Sequence, residues 1–258
     1  TTAGAYALKD NKNTEDAFIV TKLKEHGALI LGKANLSEWA YYFCSDCPVG
    51  YSAIGGQTLN PYGRKIFETG GSSSGSGVGV AANYAVVAVG TETSGSILSP
   101  SSQNSVVGLK PTVGLLSRTG IVPISTTLDT PGPMTKNVID NAIFLAAMTG
   151  EDVKDSATIG HNKQINYLED LNSATLKGKR FGVIKQLLND SIYKVTINKL
   201  KNAGAEIIEF DPPQVELNGF LTLLNIDMKN DLPNYLKNYA DKNVSIKSVQ
   251  DVINLNLL

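Results

Sequence analysis

Two turns rich in glycine and serine, GGSSSGSG at 70–77 and GTETSGSI at 90–97, flank one short apolar run and set Ser72 and Ser96 in backbone able to approach a ligand closely. A serine nucleophile needs a base that takes its proton, N–H donors for the developing oxyanion, and a turn that exposes its hydroxyl. The 70–100 stretch addresses the last two, with the successive backbone N–H groups of Thr93, Ser94, Gly95 and Ser96 as candidate oxyanion donors. The base is harder to find. A Ser-His-Asp triad requires histidine, and the two present, His26 and His161, lie in no suggestive motif.

Competing chemistries leave weaker traces. A Gly/Ser turn ahead of a helix over 74–82 also reads as an anion-binding turn, but it lacks the G-K-[ST] ending of a P-loop. GSGVGV at 75–80 is a dinucleotide-like string with no strand pattern directly before it. Cys44 and Cys47 form a C-x-x-C pair, and without further ligands at zinc spacing they are expected to be two reduced thiols in a loop. Asp129, Thr130 and Pro131 read as a turn rather than as direct chemistry. Trp39, Tyr41 and Tyr42 read as packing residues.

The elements that would position these groups follow from periodicity. The chain has 258 residues, 42% hydrophobic and 18% charged, with a formal net charge of -1, which is ordinary for a soluble globular protein and gives no electrostatic reason to propose nucleic acid. The longest mainly apolar run, 78–89, is too short to span a bilayer. A helix is expected over 15–26 from Phe18, Ile19 and Leu23, stopped by Gly27 and followed by a short buried strand at 28–31. KLKEHGALIL at 22–31 is echoed by KLKNAGAEII at 199–208, a repeated helix-to-strand habit. Further buried strands are expected at 86–89 and 181–184, so the fold class is α/β. Between them, 137–149 reads as an amphipathic helix with Val138, Ile139, Ala142, Ile143 and Ala146 on its apolar face and Gly150 as its stop. Residues 151–178 are polar and irregular and are expected to form a surface excursion, and helical stretches continue from 215 to the uncapped VINLNLL at the end.

Four motifs in order, GGSSSGSG at 70–77, GTETSGSI at 90–97, VGLKPTVGL at 107–115 and DTPGPM at 129–134, resemble the amidase signature family. The resemblance extends from TTAGAYAL at 1–8 through LGKANLSEWA at 31–40 to FGVIKQ at 181–186, and its ETSGSI and DTPGPM variants are most similar to the bacterial peptide-amidase-like branch. It implies a three-layer α/β/α sandwich around a mixed central sheet, as a single domain over 1–258 that is incomplete at both ends. It implies Ser96 as the acyl-forming nucleophile and Ser72, preceded by a cis peptide bond, as the bridging serine. Thr93, Ser94 and Gly95 would line the oxyanion hole. The family's base is a lysine made neutral by burial. Lys9, in KDN, imitates that motif but follows TTAGAYAL, whereas the family lysine precedes it; Lys33 and Lys110 belong to other motifs. The catalytic lysine is therefore expected upstream of Thr1. Ser94 stands where relatives carry an acidic residue or glycine, and Leu98 where many carry arginine.

The implied reaction is hydrolysis of a carboxamide through a serine acyl-enzyme, on a small-molecule or peptide amide, with no cofactor or metal and with nucleic acid and membrane not expected as partners. A cytoplasmic location is expected. Two alternatives stand beside it: the glutaminase subunit of a tRNA-dependent amidotransferase, and a catalytically incomplete binding module.

Overall fold

The computed structural model describes residues 1–256 except Ser45, residues 161–165, Asp170 and Asn172. In chain order the elements are α1 (Phe18–Glu25), β1 (Tyr51–Ser52), β2 (Gly56–Gln57), α2 (Ser74–Ala81), β3 (Val87–Glu92), α3 (Leu98–Gln103), β4 (Val107–Gly108), β5 (Thr130–Thr135), α4 (Val138–Met148), β6 (Arg180–Ile184), α5 (Ser191–Asn202), β7 (Glu206–Phe210), α6 (Phe220–Tyr239) and α7 (Val249–Asn256). The α/β class is as expected. Strand directions are distributed over separate sheets, antiparallel in β1–β2 and in the order β3–β5–β4, and parallel in β6–β7.

The chain divides into two compact units, Thr1–Tyr167 with Leu221–Leu258, and Leu168–Phe220. The second unit holds β6, α5 and β7, so the strand expected at 181–184 forms and pairs with β7 through Phe181 and Ile207. The first unit holds two apolar clusters. One joins Ala3, Ala5, Leu8 and Trp39 to Met228, Leu232, Tyr235 and Leu236 of α6 and Val252 of α7. The other joins Ile19 and Leu23 of α1 to Leu116 and to Phe144, Leu145 and Met148 of α4. Among the described residues no helix is long and apolar enough to cross a membrane.

Three expectations are corrected. The 28–31 segment forms no strand: Leu29, Ile30 and Leu31 are 87%, 47% and 75% exposed, and among the described residues no strand pairs with them. The helix expected over 137–149 forms, capped by the Asn137 side chain accepting from the Asp140 N–H, yet it buries the opposite face. Val138, Ile139 and Ile143 are exposed, while Phe144, Leu145 and Met148 pack on α1. The helix is apolar on both sides, so its neighbours and not its own pattern choose the buried face. Cys44 and Cys47 are joined in a disulfide rather than left as thiols, their Cα atoms lying 5.8 Å apart, within the range a disulfide bridges. Within 151–178, expected to form a surface excursion, the first turn buries Asp152, Asp155 and Thr158, and most of the other described residues are exposed. The 161–165 portion, including His161, lies outside the described residues.

Candidate active site

β3 carries the chain out of the sheet at Glu92, and the antiparallel register pairs Glu92 with Thr130 at the start of β5. One step beyond that pair, the Thr93 hydroxyl donates to Asp129 Oδ1. The buried Glu92 carboxylate then folds the following loop back: its Oε2 accepts from the N–H groups of Ile97 at 2.8 Å and Leu98 at 3.0 Å. The strand end and the α3 start thus hold residues 93–96 as a tight turn.

The serines of 70–77 separate by their partners. Ser73 Oγ donates to the Thr91 carbonyl and accepts from the Thr91 N–H, both at 3.0 Å. Ser74 Oγ donates to the Gly70 carbonyl at 2.7 Å, and Ser76 Oγ to the Val89 carbonyl at 2.7 Å. These hydroxyls tie α2 to its own turn and to β3. Ser72 is different: it follows a cis Gly71–Ser72 peptide bond, its carbonyl accepts from Ser37 N–H at 3.0 Å, and it lines a cavity of about 160 Å³. Ser96 and Thr93 line the same cavity, and the Ser96 carbonyl accepts from the Ser73 N–H at 3.2 Å. Of the expected oxyanion-loop residues, Ser94 is exposed and Gly95 has a left-handed backbone; neither contributes to the cavity lining. Ala40 also lines the cavity, from a turn in which Trp39, Ala40 and Tyr41 are successively left-handed, at φ 50°, 50° and 71°. Non-glycine residues in that region cost about 1–2 kcal/mol each, a cost that concentrates where packing over-determines the backbone. Trp39 supplies that packing from the core, as expected for a packing residue.

One side of the wall is apolar, with Ile121, Val122 and Ile124, and another is charged. Arg118 donates to Asp155 from both Nε at 2.8 Å and Nη2 at 2.5 Å, a bidentate pair, and its Nη1 donates to the Thr126 carbonyl. Burial works against the Asp155 carboxylate, but the hydrogen bonds and charge of Arg118 hold it below the usual carboxylate range. Burial pushes Asp129 up, against hydrogen bonds from Thr93, Ser125 and Ile124 and the Arg118 charge. Burial, and after it the charge of Asp227, likewise raises Asp231 of α6, which accepts from Thr126 N–H at 2.7 Å. Lys154 is the lysine of this wall, and its hydrogen bond to Glu15 raises its pKa and keeps it protonated. Lys9, Lys33 and Lys110 are exposed and line no part of the cavity; Lys9 donates to the Tyr6 hydroxyl at 2.6 Å. His26 is exposed at the end of α1 and is likewise absent from the lining.

Glu92, Arg118, Asp155 and Asp231 escape a motif reading of the sequence. Glu92 stands inside GTETSGSI, where its acid between two threonines is the available signal. Asp155 and Asp231 come from distant segments, and only the tertiary fold brings them to Ser96.

The chain is similar to known amidases. The family model named Amidase matches residues 1–255. A probable amidase of Arabidopsis thaliana is 42% identical over 266 residues, covering 99% of this chain and 51% of that protein. An amidase family protein of Bacillus anthracis superposes with a TM-score of 0.91 at 44% identity, over 100% of this chain and 52% of that one. The native peptide amidase of Stenotrophomonas maltophilia gives a TM-score of 0.90 at 41% identity, over 100% of this chain and 54% of that one. The chain therefore spans about half the length of the relatives it matches. Matched over nearly its whole length and sharing the fold of solved amidases, the chain belongs to the amidase signature family.

Proposed function

We propose that the protein carrying this chain hydrolyses carboxamides, a peptide amide among them, through an acyl-enzyme on Ser96. The observation that carries the reading is the convergence of Ser72, Ser96 and Thr93 on one cavity, with Ser72 and Ser96 supplied by two different turns. In this reaction Ser96 Oγ attacks the amide carbonyl carbon as its proton passes by way of the Ser72 hydroxyl to a base. The oxyanion forms against N–H groups of the 93–96 turn, and Thr93, Ser94 and Gly95 take the oxyanion-loop role. Collapse breaks the C–N bond, the returning proton leaves with ammonia or an amine, and water then cleaves the Ser96 ester. A neutral lysine fits the base role. The cavity's own Lys154 does not fill it, because Glu15 holds it charged; we assign the base to a lysine outside the described cavity lining.

The apolar wall of Ile121, Val122 and Ile124 accommodates the substrate's acyl portion. The single-domain reading over 1–258 and the cytoplasmic location belong to the same proposal.

The test is turnover of the full-length protein on a peptide C-terminal amide and on free glutamine, with released ammonia as the readout. Peptide amide hydrolysis is expected, and Ser96→Ala lowers kcat by about 10³-fold or more. Undiminished turnover in Ser96→Ala sinks the assignment, and turnover confined to free glutamine moves it to the glutaminase subunit.

A further inference from the structure

The turn at 125–129 closes through its backbone, with the Asp129 N–H donating to the Ser125 carbonyl at 2.8 Å, and the Asp129 side chain adds a second set of contacts that reaches beyond the turn. Oδ1 accepts from the Thr93 hydroxyl, while Oδ2 accepts from the N–H groups of Ile124 at 2.8 Å and Ser125 at 2.9 Å. Thr93 opens the loop that leads to Ser96, and Ile124 belongs to the apolar wall of the same cavity. One carboxylate thus ties the start of the 93–96 loop, one step past the Glu92–Thr130 strand pair, to the 124–125 backbone, which lies in no strand. An ionised carboxylate only accepts, so it fixes the direction of all three donors at once, and the Thr93 hydroxyl proton is committed to it. Keeping a carboxylate away from water is costly unless such donors compensate it, and a neutral turn residue would have avoided that cost.

We propose that Asp129 is a positioning residue for acyl transfer, locking Thr93 of the oxyanion loop to the 124–125 backbone of the cavity wall. The loop's N–H groups are thereby held where the oxyanion develops, and the wall that seats the acyl group is held in the same frame. Pre-set donors of this kind act on the transition state, so their displacement lowers kcat more than it raises KM. The inference rests on the amidase reading above.

The experiment compares the full-length protein with Asp129→Asn, Thr93→Val and the double variant, on the peptide amide that the parent hydrolyses, with thermal melting to establish folding. Asn keeps the size of Asp but turns an NH₂ toward one of the existing donors. The expected result is a kcat loss of about 10–100-fold in Asp129→Asn with KM within about 3-fold, a comparable loss in Thr93→Val, and no further loss in the double variant, since both singles break one shared link. A folded Asp129→Asn with kcat within about 2-fold of the parent, a loss that falls on KM alone, or multiplicative losses in the double variant would each overturn the proposal. Should Asp129→Asn fail to fold, Thr93→Val decides alone, and unchanged kcat there overturns it. If Ser96→Ala is inactive while Asp129→Asn is fully active, this inference alone fails; if the parent hydrolyses no carboxamide, both fail.

Discussion

Gly70 and Gly95 bracket the candidate catalytic turns, both with left-handed backbone, at φ 62° and 84°. Their surroundings differ. A Cβ on Gly70 would lie 2.7 Å from the Ser99 carbonyl carbon and 2.7 Å from the Pro100 nitrogen, backbone atoms of α3 that have no rotamer with which to yield. A Cβ on Gly95 meets nothing within 4 Å. Gly70→Ala therefore carries both the left-handed penalty and a steric one, together about 3 kcal/mol, whereas Gly95→Ala carries only the first, about 1 kcal/mol. Urea unfolding of the two variants checks this, and equal losses would mean that the approach of α3 to Gly70 is less close than described. The same scale shows what a motif hides. GGSSSGSG offers several serines of equal appearance, and the resemblance singles out Ser72; the hydrogen bonds give the reason, since Ser73, Ser74 and Ser76 spend their hydroxyls on neighbouring carbonyls.

At the scale of elements, α4 shows where sequence reading succeeds and where it stops. Its ends were legible because they depend on local chemistry: Asn137 caps the first turn and Gly150 follows the last. Its buried face was not, because Val138, Ile139 and Ile143 on one side match Phe144, Leu145 and Met148 on the other in apolar character. The choice is made by α1 and Leu116, which accept only the second set. A direct consequence is that Met148→Ala, at a fully buried position, destabilises by about 3 kcal/mol, whereas Ile143→Ala, at a position 49% exposed, stays under about 1 kcal/mol. Thermal denaturation of the pair checks it, and the reverse order would restore the face read from periodicity. The 28–31 segment fails for the related reason that an apolar run marks a strand only when a partner edge is present, and among the described residues none pairs with it.

For the whole molecule, the cavity's carboxylates make stability depend on pH in two opposing senses. The fold draws them from separate stretches, Asp129 before β5, Asp155 after α4 and Asp231 within α6, so their mutual electrostatics could not be read from any one motif. Asp129 and Asp231 are raised above the usual carboxylate range, chiefly by burial. For such a group the folded state binds the proton more tightly than the unfolded chain, so its contribution is fully present below the unfolded pKa of about 4 and is lost as pH rises through the folded value. Asp155 is lowered, because Arg118 outweighs its burial, so its contribution is present above about pH 4 and lost as pH falls through its folded value. As pH falls, the raised pair takes up protons before Asp155 does and its share of the stability grows; further acidification releases Arg118 from Asp155 and that pair's share is lost. Asp231→Asn removes one of the two raised groups while leaving the Arg118–Asp155 pair in place. Its gain in Tm on mild acidification is smaller than the parent's, and its fall at lower pH is retained. Calorimetric scans from neutral to acidic pH test the assignment: an Asp231→Asn variant that keeps the parent's full gain would show that α6 contributes no strained carboxylate to the cavity, and the opposing senses of titration would then rest on Asp129 and Asp155 alone.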